Sequence, residues 1–416
     1  MKPNRLALTT EKMLRRRFLS GLGAAALGAF APLPGLAGKG RNATGYLRTN
    51  WSQDPFSHGS YSFIAKGATR SDHRALAAPI ADKLFFAGEA AHPDYNSTVH
   101  AAFESGARAA ENVIATGAKR TLVIGAGISG LTAAQRLQDE GRDVVIIEGR
   151  GRIGGRIWTD HNLGLPLDLG ASWIHGTTGN PIARLADART LPTVKTNTTH
   201  IIRDGRGRDI SDLATASWFD EVAEIEHVFG ASPAELNQAA YADADDYDGP
   251  DVIFPGGYEQ VLAAFDALDI RLNEAVLSVS YGLEGVSANT TIGTHQPDAV
   301  IVTVPLGVLK AGDIRFDPPL PPRTQGAIAR LGMGVLDKLY LQFDEAFWDR
   351  GATWILTPDT GLPRGQFNQW FNIAKYVEEP ILLGFNGANP ARDLSILSDE
   401  QMLERALGVL TKAYPT

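Results

Sequence analysis

The sequence predicts an α/β fold built on a parallel sheet, and three observations within residues 121–148 predict it. Thr121-Leu122-Val123-Ile124 is a short apolar, β-prone run. It feeds into Gly125-Ala126-Gly127-Ile128-Ser129-Gly130, and residues 131–137 then have helical spacing up to a stop at Gly141. Asp143–Ile147 is a second buried strand, closed by Glu148. Each part has a mechanical reason. Gly125 permits a tight turn, Gly127 lets the backbone approach a pyrophosphate, and Gly130 lets helix and strand pack closely. The helix start offers free N–H groups and the positive end of its dipole to phosphate. Glu148 stands where a carboxylate accepts hydrogen bonds from a ribose. The unit is Rossmann-like and implies a bound dinucleotide.

Two further stretches bear on which one. Gly149-Arg150-Gly151-Arg152-Ile153-Gly154-Gly155-Arg156 comes first, and Asp168-Leu169-Gly170-Ala171-Ser172-Trp173-Ile174-His175-Gly176 follows. In this order they resemble two consecutive blocks of the flavin-containing amine oxidase family, which includes polyamine oxidases, monoamine oxidases and lysine demethylases. The resemblance implies FAD in place of NAD. It also implies pyrophosphate contacts from the pair Gly154-Gly155 and from Arg156, Arg150 as a further cofactor-binding residue, and a loop through Gly170, Ala171 and Ser172 beneath the flavin ring.

Length and composition set the bounds. The 416 residues suffice for two domains with substantial cores, and there is no repeat or low-complexity tract. The chain has no cysteine, which excludes disulfides, thiolate catalysis, cysteine-held metal and a cysteinyl–flavin bond. No metal site is expected. Arg15-Arg16-Arg17-Phe18-Leu19 is a twin-arginine pattern, followed by a weakly apolar run over residues 20–30 and small residues around Ala37. That run is too short to span a bilayer, so residues 1–37 read as an export signal cut near Ala37. The expected partner of the precursor is the twin-arginine export machinery, and the expected location is periplasmic or secreted. Removing these residues takes the net charge from −8 to −13, since they hold six Lys/Arg and one Asp/Glu. An acidic mature protein argues against nucleic acid and favours cationic small molecules.

The remaining blocks occur in an unusual order. Trp51 opens a stretch ending in Gly59-Ser60-Tyr61-Ser62-Phe63. Leu84-Phe85-Phe86-Ala87-Gly88-Glu89 and Ser97-Thr98-Val99-His100-Ala101 come next. These resemble the C-terminal blocks of the same family, yet they precede the glycine turn, while the chain stops at Thr416 about where the Trp51 block would follow. Every block appears once in rotated order, so a circular permutation is expected. The full expectation is a Rossmann-like FAD/NAD(P)-binding domain with a discontinuous α+β substrate domain, the amine oxidase fold, circularly permuted. A substrate-domain strand is expected at 41–66, the FAD-binding domain at 80–185 and a first long substrate-domain segment at 186–250. The FAD-binding domain resumes at 251–308, and a second substrate-domain segment occupies 309–416.

Residues 177–250 say least. Residues 212–229 have helical spacing with Trp218, Phe219, Val222 and Ile225 on one side. The acidic cluster Asp243, Asp245, Asp246 and Asp248 lacks the register of a calcium loop, because Ala244 falls where the first ligand should sit. Further on, Val276 matches a position whose backbone contacts adenine in the family. Lys338, in the alternating run Leu336-Asp337-Lys338-Leu339-Tyr340, matches the family's lysine beside the flavin.

Oxidising an amine to an imine moves a hydride equivalent from the carbon beside nitrogen to flavin N5, and only the neutral amine can release it. An alkylamine titrates near ~10.4, so neutrality at pH 7 costs roughly 4–5 kcal/mol. Desolvation between aromatic walls recovers some of that. By resemblance Trp51 and Tyr61 are those walls. Thr98 replaces the second tyrosine of monoamine oxidases, and Ser60 replaces their flavin-bonded cysteine, so FAD should be non-covalent. His175 matches a histidine lining the polyamine oxidase tunnel. Lys338 would hold a water at N5 while dioxygen is reduced to hydrogen peroxide. Glu89 should meet the ribityl or pyrophosphate region, and the Val99 N–H the isoalloxazine edge. The expected activity is that of an FAD-dependent, polyamine-oxidase-like enzyme. An L-amino-acid oxidase and a flavin-binding protein without turnover are the rivals.

Overall fold

The computed structural model describes residues 25–26, 41–212, 217–241 and 247–415. The elements that position the site begin with β1 (Gly45–Thr49), β2 (Tyr61–Phe63), β3 (Leu84–Phe86) and α1 (Val99–Thr116). The glycine-turn unit follows as β4 (Arg120–Ile124), α2 (Ile128–Asp139) and β5 (Asp143–Ile147). Then come β6 (His200–Ile202), β7 (Ile270–Arg271) and β8 (Ala299–Val302). The last are β9 (Leu336–Gln342), β10 (Trp354–Leu356), β11 (Gln369–Asn372), β12 (Ile381–Gly387) and α3 (Asp399–Ala413).

The first sheet has five parallel strands in the order β7-β5-β4-β8-β3. Its central strands are buried on both faces, which is why they read as unbroken apolar runs with no alternation. Helix α2 starts at Ile128, earlier than its apolar spacing suggested, because Gly127 takes an extended conformation and serves as its N-cap.

Strand β3, far upstream of the glycine turn, pairs with β8 through Leu84↔Val300 and Phe86↔Val302. The N-terminal blocks and the glycine turn therefore share one sheet. Helix α1 packs on α2 closely enough that a Cβ on Gly106 would lie 2.1 Å from the Ser129 carbonyl oxygen. It ends at Gly117 in the left-handed region, φ 80°, and the chain turns at once into β4. Asp298 fastens that turn by accepting from the Lys119 and Arg120 amides at 3.1 and 3.0 Å. Those hydrogen bonds and the Arg120 guanidinium lower its pKa to about 2.

The second sheet runs β1-β9-β12-β11-β10-β6, with Ala25–Ala26 added antiparallel at the β1 edge. Six of the seven residues of β9 are buried. Alternation in the sequence marked one inward face, but α3 covers the other. Leu339 and Leu341 pack with Leu403, Ala406 and Leu410, while Leu336 and Tyr340 join the main core.

Other sequence expectations meet the structure unevenly. The substrate-domain boundary drawn at residue 309 is corrected. Arg315–Asp317 adds a parallel strand to Val276–Gly282, and Arg330, ending helix Pro322–Arg330, bonds Asp72 of helix Arg70–Ala77. Residues 315–330 thus pack with the nucleotide-binding half, because long-range pairing, which leaves no local periodicity, decides their place. The helical stretch expected over 212–229 is observed from Ser217 to Phe229, interrupted by a π turn over Val222–Glu226. The export signal read over residues 1–37, apart from Ala25–Ala26, and most of the acidic cluster lie outside the described residues. Among the described residues no helix is long and apolar enough to cross a membrane.

Candidate active site

A cavity of about 370 Å³ lies where the C-terminal ends of β4 and β5 meet the N-terminal blocks. Such a place, outside the carboxyl ends of parallel strands, is where α/β sheets bind ligands. Gly125, Gly127, Glu148, Arg150, Gly155, Arg156 and Val276 line it from one side, and Glu89, Thr98 and Val99 from the N-terminal blocks.

The glycines differ in what they do. Gly125 has φ 105°, and a Cβ there would lie 2.6 Å from Thr303 Oγ1. A Cβ on Gly127 would meet only the Gly154 carbonyl, at 3.9 Å, and would otherwise stand in the cavity. Gly130 sits behind the wall, where a Cβ would fall 2.0 Å from the Gly125 carbonyl oxygen. Gly170, Ala171 and Ser172 also lie behind it. A Cβ on Gly170 would be 2.0 Å from the Arg156 carbonyl, which accepts from the Ala171 amide at 3.2 Å.

The charged groups are held by neighbours distant in sequence. Glu148 accepts from the Ala126 amide at 2.8 Å and from the Arg150 amide at 2.9 Å, which fixes its carboxylate at the end of β5. Arg150 forks onto Asp54, at 2.9 and 2.5 Å. Arg156 donates to the Ser60 carbonyl at 2.9 Å and to Glu89 at 3.0 Å. Glu89 in turn accepts from the Ser62 hydroxyl at 2.6 Å and the Ser97 amide at 2.9 Å. Thr98 caps α1 by accepting from the Ala101 amide, 3.1 Å away, so Val99 is the first residue of the helix.

This donor set fits FAD. The first turns of α1 and α2 both present amides without helical partners to the cavity, and Arg156 adds a cation for a diphosphate. Glu148 suits a ribose, while Val276, Val304, Pro305 and Ile314 add apolar lining suited to a ring. Among the described residues no group of three or more His, Asp or Glu could hold a metal.

Of the residues expected to carry the chemistry, Thr98 lines this cavity, whereas Lys338, Trp51, Tyr61 and His175 do not. Lys338 is buried, and its ammonium donates to the Asp168 carbonyl at 2.7 Å, the Gly170 carbonyl at 2.6 Å and the Ser172 hydroxyl at 2.6 Å. Burial lowers its pKa, while the nearby Asp168 carboxylate opposes that. A lysine ammonium has three protons, and here the protein takes all three. For the expected water-holding role, Nζ would have to give up one of these acceptors.

Trp51 and Tyr61 are fully buried and do not line the cavity. They belong to the core cluster that includes Trp173, Tyr340, Trp354, Phe371 and Phe385, so the expected walls sit in aromatic company. The Tyr61 hydroxyl donates to the His227 carbonyl at 2.6 Å. His175 is half-buried, with Nδ1 3.2 Å from Asp251, and it too lies off the cavity.

Sequence reasoning missed Asp54, Ser62, Thr303, His227 and Gln369. Thr303 follows a buried strand at its C-terminal end, and that position alone was a readable signal. The others gain meaning only through partners at least 27 positions away.

Residues 7–114, 128–218 and 202–416 match the family described as flavin containing amine oxidoreductase. Polyamine oxidase 4 of Oryza sativa subsp. japonica is 29% identical over 356 residues, covering 71% of this chain and 72% of its own. Probable polyamine oxidase 4 of Arabidopsis thaliana is 31% identical over 363 residues, covering 71% of each chain. Among solved structures, a putrescine oxidase redesigned in its cofactor binding superposes with a TM-score of 0.56 at 20% identity. That match covers 71% of this chain and 82% of the other, and it speaks for the fold.

Proposed function

This chain belongs to the flavin containing amine oxidoreductase family and is an FAD-dependent amine oxidase, and we propose that it oxidises a polyamine-like primary or secondary amine with dioxygen as acceptor. One observation carries this reading. Two distant stretches of the chain, around Glu89–Val99 and around Gly125–Arg156, enclose a single cavity built for a dinucleotide, and the Lys338 ammonium grips the loop through Ser172 behind it.

FAD, when bound, supplies the redox chemistry by accepting the hydride equivalent and passing electrons to dioxygen. The chain supplies orientation, water exclusion and charge. Arg156 and the helix starts hold the diphosphate, and Glu148 the ribose. The aromatic cluster of Trp51, Tyr61 and Trp173 excludes water from the reacting amine, which favours the neutral amine needed for hydride release. Water then splits the imine, so the balance is amine, dioxygen and water in, and carbonyl compound, hydrogen peroxide and either a shortened amine (from a secondary amine) or ammonia (from a primary one) out.

The reading includes a rotated chain order. It is supported by the family matching in separate stretches, with one break between residues 114 and 128, at the turn into β4. It is supported also by the meeting of Arg41 with the other end of the chain: its Nη2 donates to the Tyr414 carbonyl at 3.3 Å. Export through the twin-arginine route to the periplasm or beyond belongs to the same proposal, on the residues Arg15-Arg16-Arg17.

The test is direct. Purified protein should be yellow and release FAD on acid treatment, then give peroxide with spermidine or spermine more readily than with tyramine or leucine. A preference for leucine would move the substrate to amino acids. No peroxide with any amine would overturn the catalytic reading.

A further inference from the structure

His227 lies just beyond a change of helical pitch. Ser217–Glu221 is α-helical, Val222–Glu226 makes a π turn, and His227–Phe229 resumes the α form. A π turn in a helix re-aims the side chains beside it and is often found at functional sites. Here His227 is buried completely. Its Nδ1 lies 2.7 Å from Gln369 Oε1, an oxygen that only accepts, so the ring proton sits on Nδ1. Nε2 is left as a bare acceptor, and it has no partner among the described residues. Burial holds the ring's pKa down to about 4, which keeps the imidazole neutral wherever an amine oxidase works.

A buried acceptor without a donor weakens a folded chain, and in native proteins it calls for an explanation. The surroundings indicate the donor. In the registers of the second sheet, Gln369 stands opposite Phe385 and Phe385 opposite Lys338, so these three side chains share one face. The His227 ring is 6.2 Å from Phe385, and Trp173 and Trp354 pack on Phe385 at 6.4 and 6.1 Å. Trp173 Nε1 also lacks an acceptor among the described residues. The face is thus aromatic and dry, with Lys338 toward one end and a neutral acceptor toward the other.

We propose that His227 Nε2 accepts a hydrogen bond from an N–H of the substrate amine, and that this contact selects primary and secondary amines over tertiary ones. The inference rests on the amine oxidase reading above. In the neutral form that yields hydride, a primary or secondary amine still has an N–H to give. A neutral tertiary amine has none and leaves Nε2 unpaired, and sites built to hydrogen-bond reject partners that cannot.

The experiment compares spermidine with N4-methylspermidine on the FAD-loaded enzyme, both with their terminal amines acetylated so that N4 is the one amine nitrogen left to be oxidised. Wild type should favour spermidine in kcat/KM by about tenfold or more, the worth of one buried hydrogen bond. H227F should lose about tenfold on spermidine and little on its methylated counterpart, while H227Q, whose amide oxygen reaches the same region, should keep some of the preference. Calorimetric titration of the dithionite-reduced enzyme with spermidine gives a readout without turnover, and H227F should bind more weakly at equal flavin content. Equal handling of the two amines by wild type would overturn the proposal, and so would a preference that survives in H227F. If H227F does not fold, the wild-type comparison decides alone. Failure of every amine to give peroxide would sink the amine oxidase reading instead, a distinct result.

Discussion

The Lys338 ammonium and the Ser172 hydroxyl lie 2.6 Å apart, and this contact joins the second sheet to the loop behind the nucleotide cavity. Lys338 belongs to β9 and Ser172 follows the glycine block, so the two halves of the fold meet at a buried charge. Replacing Lys338 with Met should slow flavin reoxidation about tenfold or more while leaving FAD content intact, a loss worth about 1.4 kcal/mol or more. Ser172→Ala removes an acceptor that favours the charged lysine, so the pH limb attributed to Lys338 should move toward acid. Stopped-flow reoxidation across pH reads both, and an unchanged rate in Lys338→Met would refute the role.

Glu89 and Arg156 form the tie between the N-terminal blocks and the glycine loop, at 3.0 Å with the carboxylate side chain only 2% exposed. Glu89→Ala strands a largely buried guanidinium and strips the Ser62 and Ser97 donors of their acceptor. Removing one partner of such a pair costs about 3 kcal/mol or more. Urea unfolding of the apoprotein should show that loss, together with reduced flavin uptake.

Asp337 is buried, and burial raises its pKa to about 6 despite hydrogen bonds from the Trp51 amide and the Thr49 hydroxyl. The folded protein therefore keeps a proton that the unfolded chain has released, and stability falls as pH rises from about 4 to about 6. Asp337→Asn keeps the accepting oxygen and removes the charge. It should stabilise the protein by up to about 3 kcal/mol at pH 8 and hardly at all at pH 3, at 1.36 kcal/mol per pKa unit. Thermal melts at the two pH values check the sign.

Gly130 has no room for a side chain, because a Cβ there would strike the Gly125 carbonyl at 2.0 Å, and that neighbour is backbone. Gly130→Ala should displace the glycine turn from the phosphates and yield folded but colourless protein. Flavin absorbance after purification, set beside circular dichroism, separates that result from simple unfolding.

Arg41 and Tyr414 touch, whereas Ala118-Lys119 forms the short turn between α1 and β4. A gene that joins residue 416 to residue 41 through a short linker and opens at residue 118 should give the same yellow protein. Loss of flavin in that re-cut chain would count against the rotated order.

Much of this protein was determined locally. Residues 121–148 fixed a strand, a turn, a helix and a strand, since glycine placement and β-branched runs act through nearest neighbours. The absence of cysteine likewise ruled out a cysteinyl flavin bond without any coordinates. Tertiary structure decided the rest. It buried both faces of β9 by laying α3 across the side that alternation left open, and it placed 315–330 with the nucleotide-binding half through a strand pairing no local pattern announces. It also set Glu89 against Arg156 and His227 against Gln369, contacts spanning 67 and 142 positions. Backbone preference is written within a few residues, whereas the partner of a buried charge is chosen by whichever distant segment the sheet brings to it.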